Sequence, residues 1–488
     1  MPDMTLKKKR MDRAGYLEQL RCHEERLRAA ASDPMRLKYH LQPPMGWLND
    51  PNGLCQKDGV YHIYHQYVPF YPELCSVLWG HVTTRDFIHY EVQEPAVYPD
   101  TDWDQNGAYS GCAFVEDGTM YVYYTGNVRH ADRDYDYITA GREQNTILIT
   151  SEDGFHFSGK RLLMRNEDYP SDLSLHVRDP KVFRENGRYY MIQGARDRKG
   201  RGSILLFESG DLLNWSSKLR FHTKEPFGYM WECPNYLNVD GKQFLIACPQ
   251  EYRQAEETLV KDNRCGYFPL KYDFEGTEYE LGEYRTLDRG FDFYAPQVFR
   301  DEAGRWILLG WMSTPDADYD CEVTVKNGWV HAMTIPRELY VNEAGRLCQR
   351  PLKELEGMRD EICSGRFEAG AGFEAEVPPC FELKISMDAP EREFELLLRE
   401  SARLAYRDGI LRFDLTGCGA GRKERSVRLS KVRDLWILSD TSSVEIFVNG
   451  GEEVFTARIY DSMEKLRVRC ASETGGGTME LYRLTVSP

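Results

Sequence analysis

The chain lacks any apolar run behind its basic start. Lys7, Lys8, Lys9 and Arg10 are followed by a heavily charged stretch, residues 11–31. This beginning reads as neither a secretory signal nor a membrane span. The chain also has no CxxC pair, although it has 13 cysteines, an odd number, spread from Cys22 to Cys470. That argues against a zinc or disulfide framework and for buried, reduced thiols in a cytoplasmic protein. In that compartment the sequon at Asn214-Trp215-Ser216 carries no weight. Positive charge is in deficit as well, with a formal net charge of −16. Such a surface repels free nucleic acid. A small neutral or weakly anionic substrate is compatible with it if the pocket supplies local Arg or Lys.

What is present points to β-structure. The 488 residues suffice for two or more domains. The 30 Tyr, 22 Phe and 9 Trp exceed what a core needs. Aromatics suit pleated surfaces and also stack on sugar rings. Residues 11–32 predict one helix, with Leu17, Leu20 and Leu27 on a partial apolar stripe that Glu24 interrupts, docked on something larger. Asp33-Pro34 ends it.

After residue 40 short alternating runs take over, and one turn recurs. Asp58-Gly59, Asp117-Gly118, Asn186-Gly187, Asp240-Gly241 and Ala303-Gly304 each precede an apolar strand, their glycines 59, 69, 54 and 63 residues apart. Five hairpins at this spacing predict five four-stranded units, a five-bladed β-propeller. Eight or nine residues before each glycine lies a cluster: Asn49-Asp50-Pro51-Asn52, Tyr109-Ser110-Gly111, Arg178-Asp179-Pro180, Glu232-Cys233-Pro234-Asn235 and Tyr294-Ala295-Pro296-Gln297. The prolines fit the start of a strand, where no ladder donor is required. Equivalent positions near the innermost strands of a propeller converge on its axis. Beyond about residue 340 the rhythm changes. Alternation in Phe381–Ile385, and Val444–Val448 followed by Asn449-Gly450, predict a second all-β unit, a sandwich. The expected organisation is a helical extension (1–36), a propeller (37–342), a linker (343–364) and a sandwich (365–488).

Asp50, Asp179 and Glu232 are the candidates for chemistry. Glycoside hydrolysis needs one carboxylate at the anomeric carbon and a carboxylic acid to protonate the leaving oxygen. Three clustered acids would raise the pKa of the proton donor, and Arg178 could hold one of the others ionised. Taken singly, each motif is more often a plain turn; their shared place in the repeat favours function. His62, His65, His81 and His89 could suggest a metal, but 62 and 65 face opposite sides of a strand, so packing is the better reading. No metal and no cofactor are expected.

At these residues the chain resembles glycoside hydrolase family 32, nearest its intracellular sucrose-6-phosphate hydrolase and invertase subgroup. The motifs are MGWLNDPNG (45–53), WGH (79–81), SGCA (110–113), VRDPKVF (177–183), GYMWECPN (228–235), GFDFYAPQ (290–297), GRLCQRP (345–351) and VEIFVNGGE (444–452). The resemblance implies a five-bladed propeller followed by a sandwich. It implies Asp50 as nucleophile, Asp179 as transition-state stabiliser and Glu232 as acid/base. It further implies sugar contacts from Trp47, Leu48, Asn49, Gln66, Trp79, Tyr109, Ser110, Arg178, Cys233, Tyr294 and Trp311. Two departures stand out. Tyr109-Ser110-Gly111-Cys112 replaces the family's Phe-Ser-Gly-Ser, and the stretch 70–78 differs from the usual loop before WGH, on the leaving-group side. The activity implied is release of fructose from sucrose or sucrose-6-phosphate. An exo-fructanase or fructosyltransferase, a related arabinan- or xylan-directed propeller, and a non-catalytic sugar-binding propeller are the alternatives. No nucleic-acid or membrane partner is expected, and a homodimer is left open.

Overall fold

The computed structural model describes residues 10–130, 132–251, 264–399, 401–463, 466–471 and 475–486. The N-terminal segment forms two helices rather than the single one expected, α1 (Arg13–Cys22) and α2 (Glu24–Ala31). Asp12 caps α1 by accepting from the Gly15 amide at 2.8 Å. The break falls at His23, whose Nδ1 sits 2.8 Å from the Gln19 carbonyl and whose ring packs on Phe70 at 4.9 Å. Tyr16, Leu17, Leu20 and Leu27 do dock as the stripe suggests, against Phe70, Leu78, Tyr98 and Trp329.

The remainder is all-β, and residues 46–351 form five antiparallel sheets. Each sheet begins with a strand that we label β1 (Gly46–Lys57), β2 (Ala108–Glu116), β3 (Leu173–Glu185), β4 (Trp231–Val239) and β5 (Tyr294–Arg300). The next strand of each sheet pairs with it through the recurrent hairpin. The five first strands touch in cyclic order, β1 to β2, β2 to β3, β3 to β4, β4 to β5, and β5 back to β1. Trp329–Val330 adds a parallel strand to the free edge of β1.

Four hairpins are two-residue turns with both residues in the left-handed region, at Asp58-Gly59, Asp117-Gly118, Asn186-Gly187 and Asp240-Gly241. Asp or Asn followed by Gly suits that geometry. The fifth differs from expectation. Its loop spans Asp301–Arg305, and the Asp301 carboxylate accepts from the Arg305 amide at 2.7 Å.

The repeated cluster is a β-bulge. The pairing of each first strand with its neighbour slips at Leu48/Pro51, Tyr109/Gly111, Arg178/Lys181, Glu232/Asn235 and Tyr294/Gln297. Asp179, Cys233 and Ala295 take positive φ there. The prolines therefore sit inside the strands, not at their starts as expected. A bulge tolerates them because it already interrupts the ladder, and it re-aims the neighbouring side chains.

The C-terminal part contains two six-stranded sheets sharing one apolar core, with Leu383, Ile437 and Ile446 from one and Leu404, Phe413 and Val468 from the other. The stretch 343–364 is not a free linker. Leu347–Pro351 pairs in the fifth sheet, and Arg359–Phe367 begins the first six-stranded sheet. Asn449-Gly450 does close a hairpin, through a four-residue loop between Val448 and Glu453.

A buried ionic network ties this part to the five sheets. Arg337 Nη2 lies 2.5 Å from Glu445 Oε2, and its Nη1 lies 3.1 Å from Asp288. His40 bridges Asp440 (2.7 Å) and Glu445 (3.0 Å). Burial alone would lower the His40 pKa, but the hydrogen bonds and charges of the two acids win and raise it to about 8. A raised histidine pKa stabilises fully below the unfolded value near 6.5 and loses that contribution as pH rises through 8. Denaturant unfolding should therefore show a loss of about 2 kcal/mol between pH 6 and pH 8.5. His40→Gln should flatten this step, and an equal step in the variant would refute the assignment.

Candidate active site

The five bulges bring the three acids together. Asp50, Asp179 and Glu232 line one cavity of about 320 Å³ with Trp47, Asn49, Gln66, Tyr109, Ser110, Arg178, Cys233, Tyr294 and Trp311. The far ends of the same five strands line a larger cavity of about 710 Å³, with Leu54, Ala113, Lys181, Tyr236 and Val298. The polar, strained ends of β1–β5 thus face one cavity and their regular ends face the other.

Asp50 is held by donors on both oxygens. Asn49 donates to Oδ1 at 3.1 Å; Ser110 donates to Oδ2 at 2.5 Å, with Gln66 at 3.4 Å. Asn49 also donates to Gln66 Oε1 (3.0 Å), and Trp47 Nε1 donates to Asn49 (3.2 Å). This chain of donors fixes the carboxylate in one orientation. Burial pushes the Asp50 pKa up to about 6; the Ser110 and Asn49 hydrogen bonds pull it down, and the Glu232 charge pushes it up again.

Asp179 accepts from the Cys233 amide at 2.9 Å, while its own amide donates to Thr125 at 3.0 Å. Burial raises its pKa to about 7; Arg178 opposes this, and Glu232 adds to it. At Asp179 desolvation outweighs the neighbouring guanidinium charge. Arg178 turns instead to Glu232, with Nη2 2.5 Å from Oε1. Glu232 Oε2 accepts from Tyr294 (2.6 Å) and Gln250 (2.7 Å).

Two expected sugar contacts lie elsewhere. Leu48 is fully buried, does not line the cavity, and offers its carbonyl to His331 at 3.2 Å. Trp79 is also fully buried, on the third strand of its sheet, and donates to the Tyr109 carbonyl at 3.0 Å. It braces the backbone beside Ser110 rather than stacking on a ligand. Cys233 reaches the cavity, but its free thiol is hydrogen-bonded to that of Cys248 and only its amide serves an acid. Trp311 lines the cavity, and its buried indole N–H has no protein partner, leaving a donor for a ligand.

The sequence reading missed Tyr137, Arg142, Gln144 and Gln250. Gln250 had a signal: it lies at the end of the strand after the fourth hairpin, near the place Gln66 takes after the first. Arg142 and Gln144 alternate on the third strand of their sheet, where no recurrent motif marks them. The four histidines do not gather. His62 meets His81 at 3.0 Å, His65 is buried, and His89 pairs with Asp86 at 2.7 Å. Among the described residues no group of His, Cys, Asp or Glu is arranged to hold a metal ion. Among the described residues no helix is long and apolar enough to cross a membrane.

Comparison with known proteins agrees with this geometry. Residues 40–351 match the glycosyl hydrolases family 32 N-terminal domain, and residues 380–488 match the family 32 C-terminal domain. A sucrose-6-phosphate hydrolase of Bacillus subtilis is 35% identical over 463 residues, 93% of this chain and 94% of that protein. One of Klebsiella pneumoniae is 35% identical over 88% of this chain and 90% of its own. The solved sucrose-6-phosphate hydrolase of Lactobacillus gasseri superposes with a TM-score of 0.85 at 26% identity, covering 100% of both chains. A Bombyx mori β-fructofuranosidase variant in complex with sucrose superposes at 0.83, also at 26% identity, covering 98% of this chain and 100% of that one.

The hydrogen bond from Ser110 predicts a pH response. An ionised Asp50 is lost as pH falls through about 6, so kcat/KM should fall over the same range, well above the usual carboxylate region. Ser110→Ala removes a bond to the charged form and should move that acid limb upward by about one pH unit. A limb that stays near its wild-type midpoint, read on the same substrate, would show that Ser110 does not tune Asp50.

Proposed function

The chain belongs to glycoside hydrolase family 32, and we propose that it is a retaining β-fructofuranosidase that releases fructose from sucrose or sucrose-6-phosphate. The observation that carries this reading is the convergence of Asp50, Asp179 and Glu232 on one small cavity, each held by its own donors. A space of about 320 Å³ is at the low end for ligand sites and suits a small sugar unit. We read the five sheets, residues 46–351, as the blades of a propeller, supported by the cyclic order of β1–β5. The two six-stranded sheets, from residue 359 on, we read as a sandwich.

In this reading Asp50 attacks the anomeric carbon of the fructosyl unit, and its Oδ–C bond replaces the bond to the leaving oxygen. Glu232 gives that oxygen its proton. Water then bonds to the same carbon, Glu232 takes its proton, and Asp50 departs, so the configuration is retained. Asp179, fixed by the Cys233 amide, faces the sugar and stabilises the oxocarbenium-like state.

A panel of sucrose, sucrose-6-phosphate and inulin, with released fructose measured, tests the function. The first two should be hydrolysed and inulin poorly; inulin as the best substrate would replace this reading with an exo-fructanase. Substitutions test the roles. Asp50→Asn should abolish turnover on every substrate. Glu232→Gln should slow poor leaving groups most, while Asp179→Asn lowers kcat without trapping an intermediate. First-formed fructose of inverted configuration, read by NMR, would overturn the double displacement.

A further inference from the structure

One large aromatic side chain stands open at the mouth of the catalytic cavity. Among the described residues the exposed large apolar and aromatic side chains are Val92, Tyr137, Phe155 and Ile362, and of these Tyr137 alone lines that cavity. Trp47, Tyr294 and Trp311 line it too but are almost wholly buried, whereas Tyr137 is 50% exposed. Tyr137 belongs to the loop between the second and third strands of the second sheet, Thr119–Arg129 and Arg142–Ser151. Its φ is +66°, in the left-handed region. Bulky side chains are rarely found there, and such strain persists only where the surroundings impose it. Here they do. The Asp136 carboxylate accepts from the amides of Ile138 (2.9 Å), Thr139 and Ala140 (2.8 Å). The Ile138 carbonyl accepts from the Leu175 amide of β3 at 2.9 Å. The Tyr137 carbonyl accepts from two buried side chains, Arg142 Nη1 at 3.2 Å and His176 Nε2 at 2.7 Å. The ring is braced as well: the Arg142 guanidinium lies 4.6 Å from its centre, and the His176 ring meets it edge-on at 4.8 Å. A ring held by buried groups, yet half uncovered, is a preformed contact surface, because little freedom is lost when a ligand covers it.

His176 also fixes which side of the cavity the ring occupies. Its Nδ1 accepts from Arg178 Nη1 at 2.8 Å, and Arg178 Nη2 holds Glu232 Oε1. Residues 176 and 178 are two apart on β3 and so share a face. Burial, then the charges of Arg178 and Arg142, hold the His176 pKa down at about 2. The imidazole is therefore neutral, with one nitrogen accepting and the other donating, as its two contacts require. Tyr137 thus stands two side chains from Glu232. Asp50 draws its partners from other strands, through Asn49, Gln66 and Ser110. Glu232 serves the leaving oxygen, so Tyr137 flanks the leaving sugar.

We propose that Tyr137 is the platform on which the leaving pyranose ring stacks, so that the enzyme selects its substrate by a ring on the leaving side as well as by the fructosyl unit. This rests on reading the cavity as the site of fructosyl transfer. A pyranose lays a face of C–H bonds on an aromatic ring while its hydroxyls stay in water at the rim. A rigid, half-exposed tyrosine at the cavity mouth matches that geometry, and the buried aromatics deeper in the cavity do not.

The test compares kcat/KM on sucrose with that on methyl β-D-fructofuranoside, whose leaving group carries no ring, and uses glucose as a competing probe. Tyr137→Asn removes the ring, while asparagine tolerates the left-handed φ. It should lower the sucrose value by about tenfold and the methyl fructoside value by less than about threefold. Inhibition by glucose should weaken by about tenfold in the same variant. Tyr137→Phe and Tyr137→Trp should keep the wild-type ratio, because the ring face and not the hydroxyl makes the contact. Tyr137→Gly, which frees the backbone, answers the question if Tyr137→Asn proves unstable. A ratio unchanged in both ring-free variants, or an equal fall on both substrates, would overturn the platform while leaving the hydrolase reading intact. A wild type that releases fructose from neither substrate would overturn both.

Discussion

Asp50, Asp179 and Glu232 face one cavity, and among the described residues a single cation, Arg178, pairs directly with any of the three. Desolvation and mutual repulsion both disfavour their charged forms. The fold holds them there through the bulges in β1, β3 and β4, which turn Asp50, Asp179 and Glu232 inward against that repulsion. Backbone strain at Asp179 and Cys233 is part of the same arrangement, since both take left-handed φ where L-residues rarely do. What is unfavourable for stability raises the pKa of Asp50 to about 6 and that of Asp179 to about 7, as burial does at many functional sites.

The cyclic strand contacts and the C-terminal sheets brace this arrangement. Glu445, fully buried, gathers Arg337, His40 and the Ile335 amide, and so fastens a strand of the six-stranded sheet to both ends of the five-sheet unit. Arg422, in the loop between two strands of the second of these sheets, makes a two-pronged pair with Asp292 at 2.6 and 2.7 Å, just before β5 and its Tyr294. The part of the chain without catalytic residues thereby fixes the strand that brings Tyr294 to Glu232.

Much of this was legible in the sequence because it rests on local rules. Asp-Gly and Asn-Gly demand left-handed turns, and four of the five recurrent turns adopt them. The clusters upstream marked one equivalent position in five sheets, which is enough to bring distant acids together. The fifth turn was misjudged because Ala303 is not a left-handed residue, and Asp301 builds a longer loop instead. Side-chain direction was less legible. Leu48 and Trp79 sit inside family motifs, yet Leu48 points into the core and Trp79 lies two strands from β1. Arg142 and Gln144 carried no local signal, since their role depends on how the third strand of one sheet leans toward a strand of the next. Likewise 343–364 looked irregular, but it ends one sheet and begins another.

The cost of holding ionised acids together can be measured. A carboxyl whose folded pKa is raised contributes stability that is lost as pH rises from its unfolded value, near 3.8, through its folded value; for Asp50 that window closes near pH 6. At pH 7 the charged Asp50 should therefore destabilise the native state, and a neutral side chain of the same shape should relieve it. Urea unfolding of Asp50→Asn against wild type is the direct measurement. The account predicts an inactive variant that is more stable at pH 7 by roughly 1–3 kcal/mol, with the gain vanishing below pH 4. A variant equally stable or less stable at pH 7 would contradict it, showing that the site does not force these charges together.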